Sequence, residues 1–417
     1  MLTNHTRSYF ICFFLLGIVA GVNFSLVSFT IHYQLSQAGY STDIIGAMFL
    51  TSIPYCLKPI WAPFIDKYSI PVICQKFGQR RGWTLVTQAC LLITTSGFLM
   101  IDPPVNIIIT AILIFIISCC AATQDVVLDA YRIERTIKKE ELSIAITFSS
   151  TGFRIGILIN STGALYLSCL FNWYFNWYFV YLYIFLITMA APIITLYMQE
   201  PVTKKTQHIS TDLISPAQYF QVIGDSLLLL KRNHPNWMFI ILFVFLYKAS
   251  DSIPMAMSSP VFMDLSFTSQ EIASISKAYG FMLMISGGVI SGILTAKIGI
   301  SRSILICGSL QLLSPLMFVF LSMVGHDMLI FTITITVQNF CCGLGNTAIL
   351  IYFSSLCSSE LIATQYSIIS SFGSFVRIIL SFLSGICANY MDWSQLFLLT
   401  TLFSMLFVPA FLRIRKI

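Results

Sequence analysis

Two aspartates four residues apart, Asp125 and Asp129, sit in CCAATQDVVLDAYRIERT, residues 119–136, at the end of an apolar run that reads as a membrane helix. A carboxylate in hydrocarbon is costly, so each needs a cation, a water-filled cavity or a proton. Burial favours the protonated form of a carboxylate, which makes Asp125, the deeper of the two, a candidate proton carrier. The other chemistry is structural. Asp129, with Arg132 one turn on, could join the basic loop holding Arg80 and Arg81, together with Asp66, in an ion-pair latch.

Five cations also fall inside apolar runs: Lys58, Arg154, Lys248, Lys277 and Arg377. At ~1.5 Å of rise per residue, Arg154 and Lys248 lie near the midplane of their runs and Arg377 slightly past it. Asp251 follows Lys248 by three residues on the same helical face, where the two can neutralise each other and where Asp251 becomes a second candidate for proton coupling. Arg154, Lys248 and Arg377 have two open readings: they bind anionic groups of a substrate, or they brace helices.

The elements that must position these groups are membrane helices. Of the 417 residues 57% are hydrophobic and only 10% charged, and the mean hydropathy is +0.84, outside the balance of a soluble domain. Twelve apolar runs are each long enough to cross a bilayer core of ~30 Å as a helix. Their expected positions are 9–35, 42–63, 83–101, 105–130, 142–170, 174–198, 237–262, 270–296, 303–324, 328–357, 362–388 and 394–412. The first is too long for a signal peptide and lacks a small-residue cleavage site, so a retained helix is expected. Continuous apolar runs exclude an alternating β-barrel pattern.

Apart from the five cations inside spans, the lysines and arginines all fall in one set of alternate loops or at the chain ends, while Asp43, Asp102, Asp264, Asp327 and Asp392 mark the opposite loops. The positive-inside bias then predicts both termini in the cytoplasm. The net charge of +6 is accounted for by this bias and calls for no nucleic acid partner.

The polar segment 199–236 divides the spans six and six, predicting a half at 1–198, a cytoplasmic linker at 199–236 and a second half at 237–417. Overlaying CCAATQDVVLDAY on CCGLGNTAILIYF pairs Gln124 with Asn346 and Asp125 with Thr347. One span later, TGFRIGILINSTGAL on GSFVRIILSFLSGIC brings Arg154 opposite Arg377. Such duplication suits parallel-repeat transporters, and Gln124 and Asn346 join the candidate substrate contacts.

Twelve cysteines include no C-x-x-C pair and lie almost all inside spans, so packing is expected, with no metal. No G-x-S-x-G, P-loop or H-E-x-x-H occurs, and the five histidines are scattered. The chain reads as no enzyme, with no cofactor. Transport without a nucleotide motif would draw on a gradient.

The helix motifs resemble those of the AmpG-type muropeptide permeases of the major facilitator superfamily. YCLKPIWAPFIDKY, QRRGWTLVTQ, ATQDVVLDAYR and GFRIG look like that family's first-half segments, and YKASD, QNFCCGLGNTA and ATQYSIISS like its second-half segments. The resemblance implies a twelve-helix major facilitator fold in the bacterial inner membrane. It implies import of anhydromuropeptides, products of peptidoglycan turnover, apparently coupled to protons. The chain is expected to work as a monomer, with a small-molecule substrate, protons and membrane lipid as its partners. An alternative is a facilitator for another anionic metabolite, such as an acyl-CoA or a sugar phosphate. Two departures stand out: Asp66-Lys67 is separated by an insertion from Gln79-Arg80-Arg81, and the counterpart segment GILTAKIGISR has Ala296 at the acid position.

Overall fold

The computed structural model of the chain describes residues 4–40, 44, 48–136, 138–167, 173–201, 216–272, 275, 279–357 and 361–415. Lys277 lies outside them, as do residues 202–215 of the expected linker. Regular structure among the described residues is helical. In chain order the principal helices are α1 (Tyr9–Gln37), α2 (Lys58–Lys67), α3 (Gln79–Gly97), α4 (Ile107–Arg135), α5 (Lys139–Leu167) and α6 (Trp173–Tyr197). They continue with α7 (Trp237–Asp264), α8 (Gly280–Ile298), α9 (Ile300–Val324), α10 (Met328–Leu356), α11 (Ile362–Ala388) and α12 (Trp393–Ile414). A further helix, Pro216–Asn233, precedes α7.

Ten of these are long and apolar enough to cross a membrane among the described residues. The exceptions are α2 and α3, and each has a local reason. The expected second span, 42–63, falls partly outside the described residues. Its remainder is a 3-10 turn over Phe49–Tyr55 containing Pro54, then α2, which opens on Pro59 and contains Pro63. Proline removes a backbone donor and clashes with the preceding turn, so the break at residues 56–57 falls between Pro54 and Pro59, while Pro63 is carried inside α2. The third expected span is helical but begins four residues early, at Gln79, and buries a polar stripe of Thr84, Thr87, Gln88, Thr94 and Thr95. Hydroxyl back-bonding, such as Thr84 to the Arg80 carbonyl at 2.8 Å, satisfies the threonines inside the helix, while Gln88 donates to Thr195 of α6 at 2.9 Å.

The chain forms two compact units. One takes the described residues of 1–137, 148–227 and 358–371, the other those of 138–147, 228–357 and 372–417. Both α5 and α11 therefore contribute residues to each unit.

Lipid tails are as apolar as leucine, so close packing and small residues must hold membrane helices together. In the first unit α1 and α5 meet through Gly17, Gly21, Gly152 and Gly156, spaced four apart on each helix. A Cβ on Gly21 would lie 2.0 Å from the Phe153 carbonyl oxygen, and one on Gly156 2.1 Å from that of Ile18. Val22 and Leu26 of α1 are buried with Leu91 of α3, Ile114 and Ile117 of α4 and Ile184 of α6. In the second unit α8 and α10 approach as closely, a Cβ on Gly343 falling 2.1 Å from the Met284 carbonyl oxygen. There, Phe262, Phe318, Phe331 and Phe397 knit α7, α9, α10 and α12 into an aromatic core, with the rings of Phe262 and Phe331 edge-to-face at 4.8 Å. Asp327 starts α10 by accepting from the amides of Leu329 and Ile330, both at 2.9 Å.

Candidate functional site

Three groups of charges are held by these helices. The first gathers at the ends of α2, α3, α4, α6 and α11 within the first unit. Arg80, on the first turn of α3, donates from Nη2 to Asp66 at 2.8 Å and from Nε to Glu134 of α4 at 3.0 Å. All three side chains are less than 10% exposed. Asp66 also accepts from the amides of Ala363 at 3.2 Å and Thr364 at 2.8 Å, and from the Thr364 hydroxyl at 2.7 Å. The carboxylate thus caps α11, where unsatisfied N–H groups and the helix dipole favour negative charge. One guanidinium against two carboxylates leaves a surplus negative charge, offset by that helix terminus.

Glu200, just past α6, caps α3 in the same manner, accepting from the amides of Arg80 at 2.7 Å and Arg81 at 3.0 Å. Gly78 supplies the turn before α3 with φ +92°, and its missing Cβ leaves room for the Glu200 side chain. Burial pushes the Glu200 carboxyl above its ordinary range, while the two amide bonds pull the other way. The Arg81 guanidinium reaches the last carbonyls of α6, Thr195 at 3.3 Å and Leu196 at 2.8 Å. Each helix end is therefore satisfied by a side chain from the other.

Asp129 and Arg132 bond to each other along α4. The structure brings Arg80 and Asp66 together, and gives Arg81 and Asp129 different partners. Glu134 and Glu200 were missed in the sequence. The signal for Glu134 lay in the opening stretch itself, an acid two residues beyond Arg132. Glu200 was the first acid after the sixth apolar run.

The second group is a direct pair. Lys58 of α2 donates to Asp125 of α4 at 2.9 Å, with the ammonium 5.4 Å from the centre of the Tyr55 ring. The side chains are 14% and 28% exposed. Beside them Gln124 is buried, and both its amide atoms lack a hydrogen-bond partner among the described residues. Both charges are conspicuous in the sequence, but nothing local announces that they are partners.

The third group lies in the second unit. Lys248 of α7 donates to Oδ1 of Asn346 on α10 at 2.8 Å, and Asn346 Nδ2 donates to Asp251 at 3.2 Å. The Lys248 and Asp251 charges themselves are 4.0 Å apart, with side chains 13% and 5% exposed. Asn346 also contacts the Cys342 sulfur at 3.1 Å, and the Tyr247 hydroxyl donates to the Gly345 carbonyl at 3.1 Å. Arg377 of α11 is exposed and close enough to repel Lys248. Lys248 thus has one carboxylate, Asp251, and one further cation, Arg377, within electrostatic reach. Arg154, overlaid on Arg377 in the repeat, is instead buried on α5, and Thr347, the counterpart of Asp125, is buried on α10.

The family model described as Major Facilitator Superfamily matches residues 8–379. A Rickettsia typhi protein carrying the name AmpG 3 is 56% identical over 99% of this chain and 97% of its own length. Its Rickettsia prowazekii namesake is 55% identical over the same shares. Among solved structures, the facilitator FucP in its outward conformation superposes with a TM-score of 0.71 at 13% identity, covering 98% of this chain and 99% of its own. The proton:xylose symporter XylE gives 0.67 at 13% identity, covering 97% and 96%. At that identity the two structures speak to the fold alone.

Proposed function

This chain belongs to the Major Facilitator Superfamily, and on that premise we propose that it is a proton-coupled permease importing anhydromuropeptides across the bacterial inner membrane. In this reading it has twelve spans with both termini cytoplasmic, α2 with its preceding turn and α3 completing the ten apolar helices, and it alternates access between the two sides. The observation that carries the reading is the third group of charges, where Lys248 and Arg377 outnumber the single carboxylate Asp251. A surplus cation inside a membrane protein is expensive unless it serves an anion, and muropeptides carry peptide carboxylates. Support also comes from the shared helix motifs and from two relatives over half identical that bear the AmpG name. Lys58 and Asp125 balance each other, so Asp125 carries a proton only when that pair opens. The cluster of Arg80, Asp66 and Glu134 serves as a latch on the cytoplasmic side.

Uptake of labelled anhydromuropeptide into proteoliposomes, with and without an imposed pH gradient, tests the reading. Accumulation above the gradient-free control only under an inward proton gradient is expected. No uptake by folded protein sinks the substrate, and an acyl-CoA or a sugar phosphate taken up instead identifies the alternative. Uptake indifferent to the gradient removes the coupling.

A further inference from the structure

The two lysine–aspartate sets differ in one respect. Lys58 touches Asp125 directly at 2.9 Å, whereas Asn346 stands between Lys248 and Asp251. An ammonium can only donate and a carboxylate can only accept, so the pair of charges fixes the amide with its oxygen toward Lys248 and its nitrogen toward Asp251. The ammonium's near neighbour is then a neutral carbonyl, and at least one of its three donors is left for another group. The Asp251 carboxylate, almost wholly buried, accepts from the Asn346 amide and has the Lys248 ammonium 4.0 Å away. The other groups facing it are Arg377 on α11, which bears on it through Lys248, Tyr247 on its own helix, and Cys342 on α10 and Cys307 on α9 beside Tyr247.

We propose that Lys248, Asn346, Asp251 and Arg377 form one linked site in which an anionic group of the substrate binds Lys248 and Arg377 while a proton binds Asp251. The inference rests on the reading of the chain as an anion-importing symporter and names where its two cargoes meet. An anion on the two cations offsets their positive field at Asp251. Asp251 then takes H+ from water and becomes a neutral acid, still accepting from Asn346 Nδ2 through its carbonyl oxygen. Protonation removes the charge attracting Lys248, which strengthens the hold of Lys248 on the anion. The linkage is reciprocal: each cargo raises the affinity of the other by the same factor. Asn346 acts as the positioning residue, since with the amide absent Lys248 and Asp251 can close into a direct pair like Lys58 and Asp125 and hold neither cargo. One anionic charge and one proton enter together, so transport through the site moves no net charge for a singly charged substrate.

Two measurements on the full chain decide it. The first needs no substrate. Dicyclohexylcarbodiimide modifies protonated carboxyls in apolar surroundings, and mass spectrometry reports adduct at each aspartate. Relative to wild type at pH 7, Lys248→Gln should raise the adduct at Asp251 at least tenfold, and Arg377→Gln should raise it in the same direction, with Asp125 unchanged. Arg377 is exposed, so its variant keeps the test alive if Lys248→Gln does not fold. Adduct at Asp251 indifferent to both cations overturns the proposal. The second measures proton uptake from weakly buffered solution when anhydromuropeptide binds. About one proton per bound ligand is expected for wild type, and none per ligand bound for Asp251→Asn. Asn346→Ala should lose the uptake, and Asn346→Gln should restore part of it. Binding without proton uptake in wild type overturns the linked site and leaves the permease reading standing. Absence of any muropeptide binding, with the adduct response intact, overturns that substrate and supports the linkage of Asp251 to its cations.

Discussion

Asp66 is the residue whose replacement gives the sharpest local test. Its carboxylate is 3% exposed and serves two masters, the Arg80 guanidinium and the first amides of α11 at Ala363 and Thr364. In Asp66→Ala the guanidinium keeps Glu134, so the cation is not stranded. The amides lose the carboxylate acceptor that Asp66 gives them. A hydrogen bond to a charged group contributes ~1.5–3 kcal/mol, and ~1.4 kcal/mol is a tenfold change in an opening equilibrium. Hydrogen exchange at the start of α11 should therefore quicken by roughly 10- to 150-fold. Asp66→Asn keeps one carbonyl oxygen and should fall between the two. Exchange mass spectrometry on the peptide spanning 361–371, in detergent or nanodiscs, reads this out. The start of α10, capped independently by Asp327, is the internal control. If exchange at Ala363 and Thr364 changes less than threefold while the control holds, Asp66 is not what satisfies that terminus, and the cap is incidental.

Backbone contact between α1 and α5 predicts a steep glycine dependence: Gly21→Ala, whose Cβ would sit 2.0 Å from a carbonyl oxygen, should lower the melting temperature by the equivalent of about 2–4 kcal/mol. Gly224→Ala, on a helix where nothing lies within 4 Å, should be neutral or stabilising by up to ~1 kcal/mol. A double-mutant cycle of Lys58→Met and Asp125→Asn in thermal denaturation should show a coupling of about 1–3 kcal/mol, the double variant recovering part of what either single loses; additive losses would deny the pair. For Glu200, the raised pKa makes the ionised carboxylate the disfavoured form in the fold. Its contribution to stability is complete below the ordinary glutamate range and declines as the pH rises through the raised value. The stability of wild type relative to Glu200→Gln should accordingly be greater at pH 4 than at pH 7, and a flat or reversed difference would refute the assignment.

Much of the fold was legible because a bilayer imposes strong constraints. Runs of about 20 apolar residues can only be helices there, and the ten helices long and apolar enough to cross a membrane among the described residues each overlap an expected run. The failures fall where sequence-level rules compete. In residues 42–63 apolar composition argued for one helix, and the described part is broken at residues 56–57, between Pro54 and Pro59. In residues 79–97 the polar threonines diluted an apolar signal that tertiary burial did not need. The duplication legible in the paired motifs did not extend to environment, since Arg154 is buried and Arg377 exposed.

The same division runs through the charges. Sequence spacing by itself determined which side chains share a helix face, and it found Asp129 with Arg132 and Lys248 beside Asp251, because residues three or four apart on an α-helix must be neighbours. It also singled out the five lysines and arginines inside the apolar runs, since hydrocarbon makes each of them costly. Only the tertiary structure decided which charge on one helix meets which on another. Lys58 with Asp125, Arg80 with Glu134 and Asp66 with the start of α11 are separated by 67, 54 and 298 residues. Electrostatic attraction carries no memory of chain distance: any carboxylate could serve any cation, and the choice falls to helix packing, fixed by glycines and prolines that bear no charge.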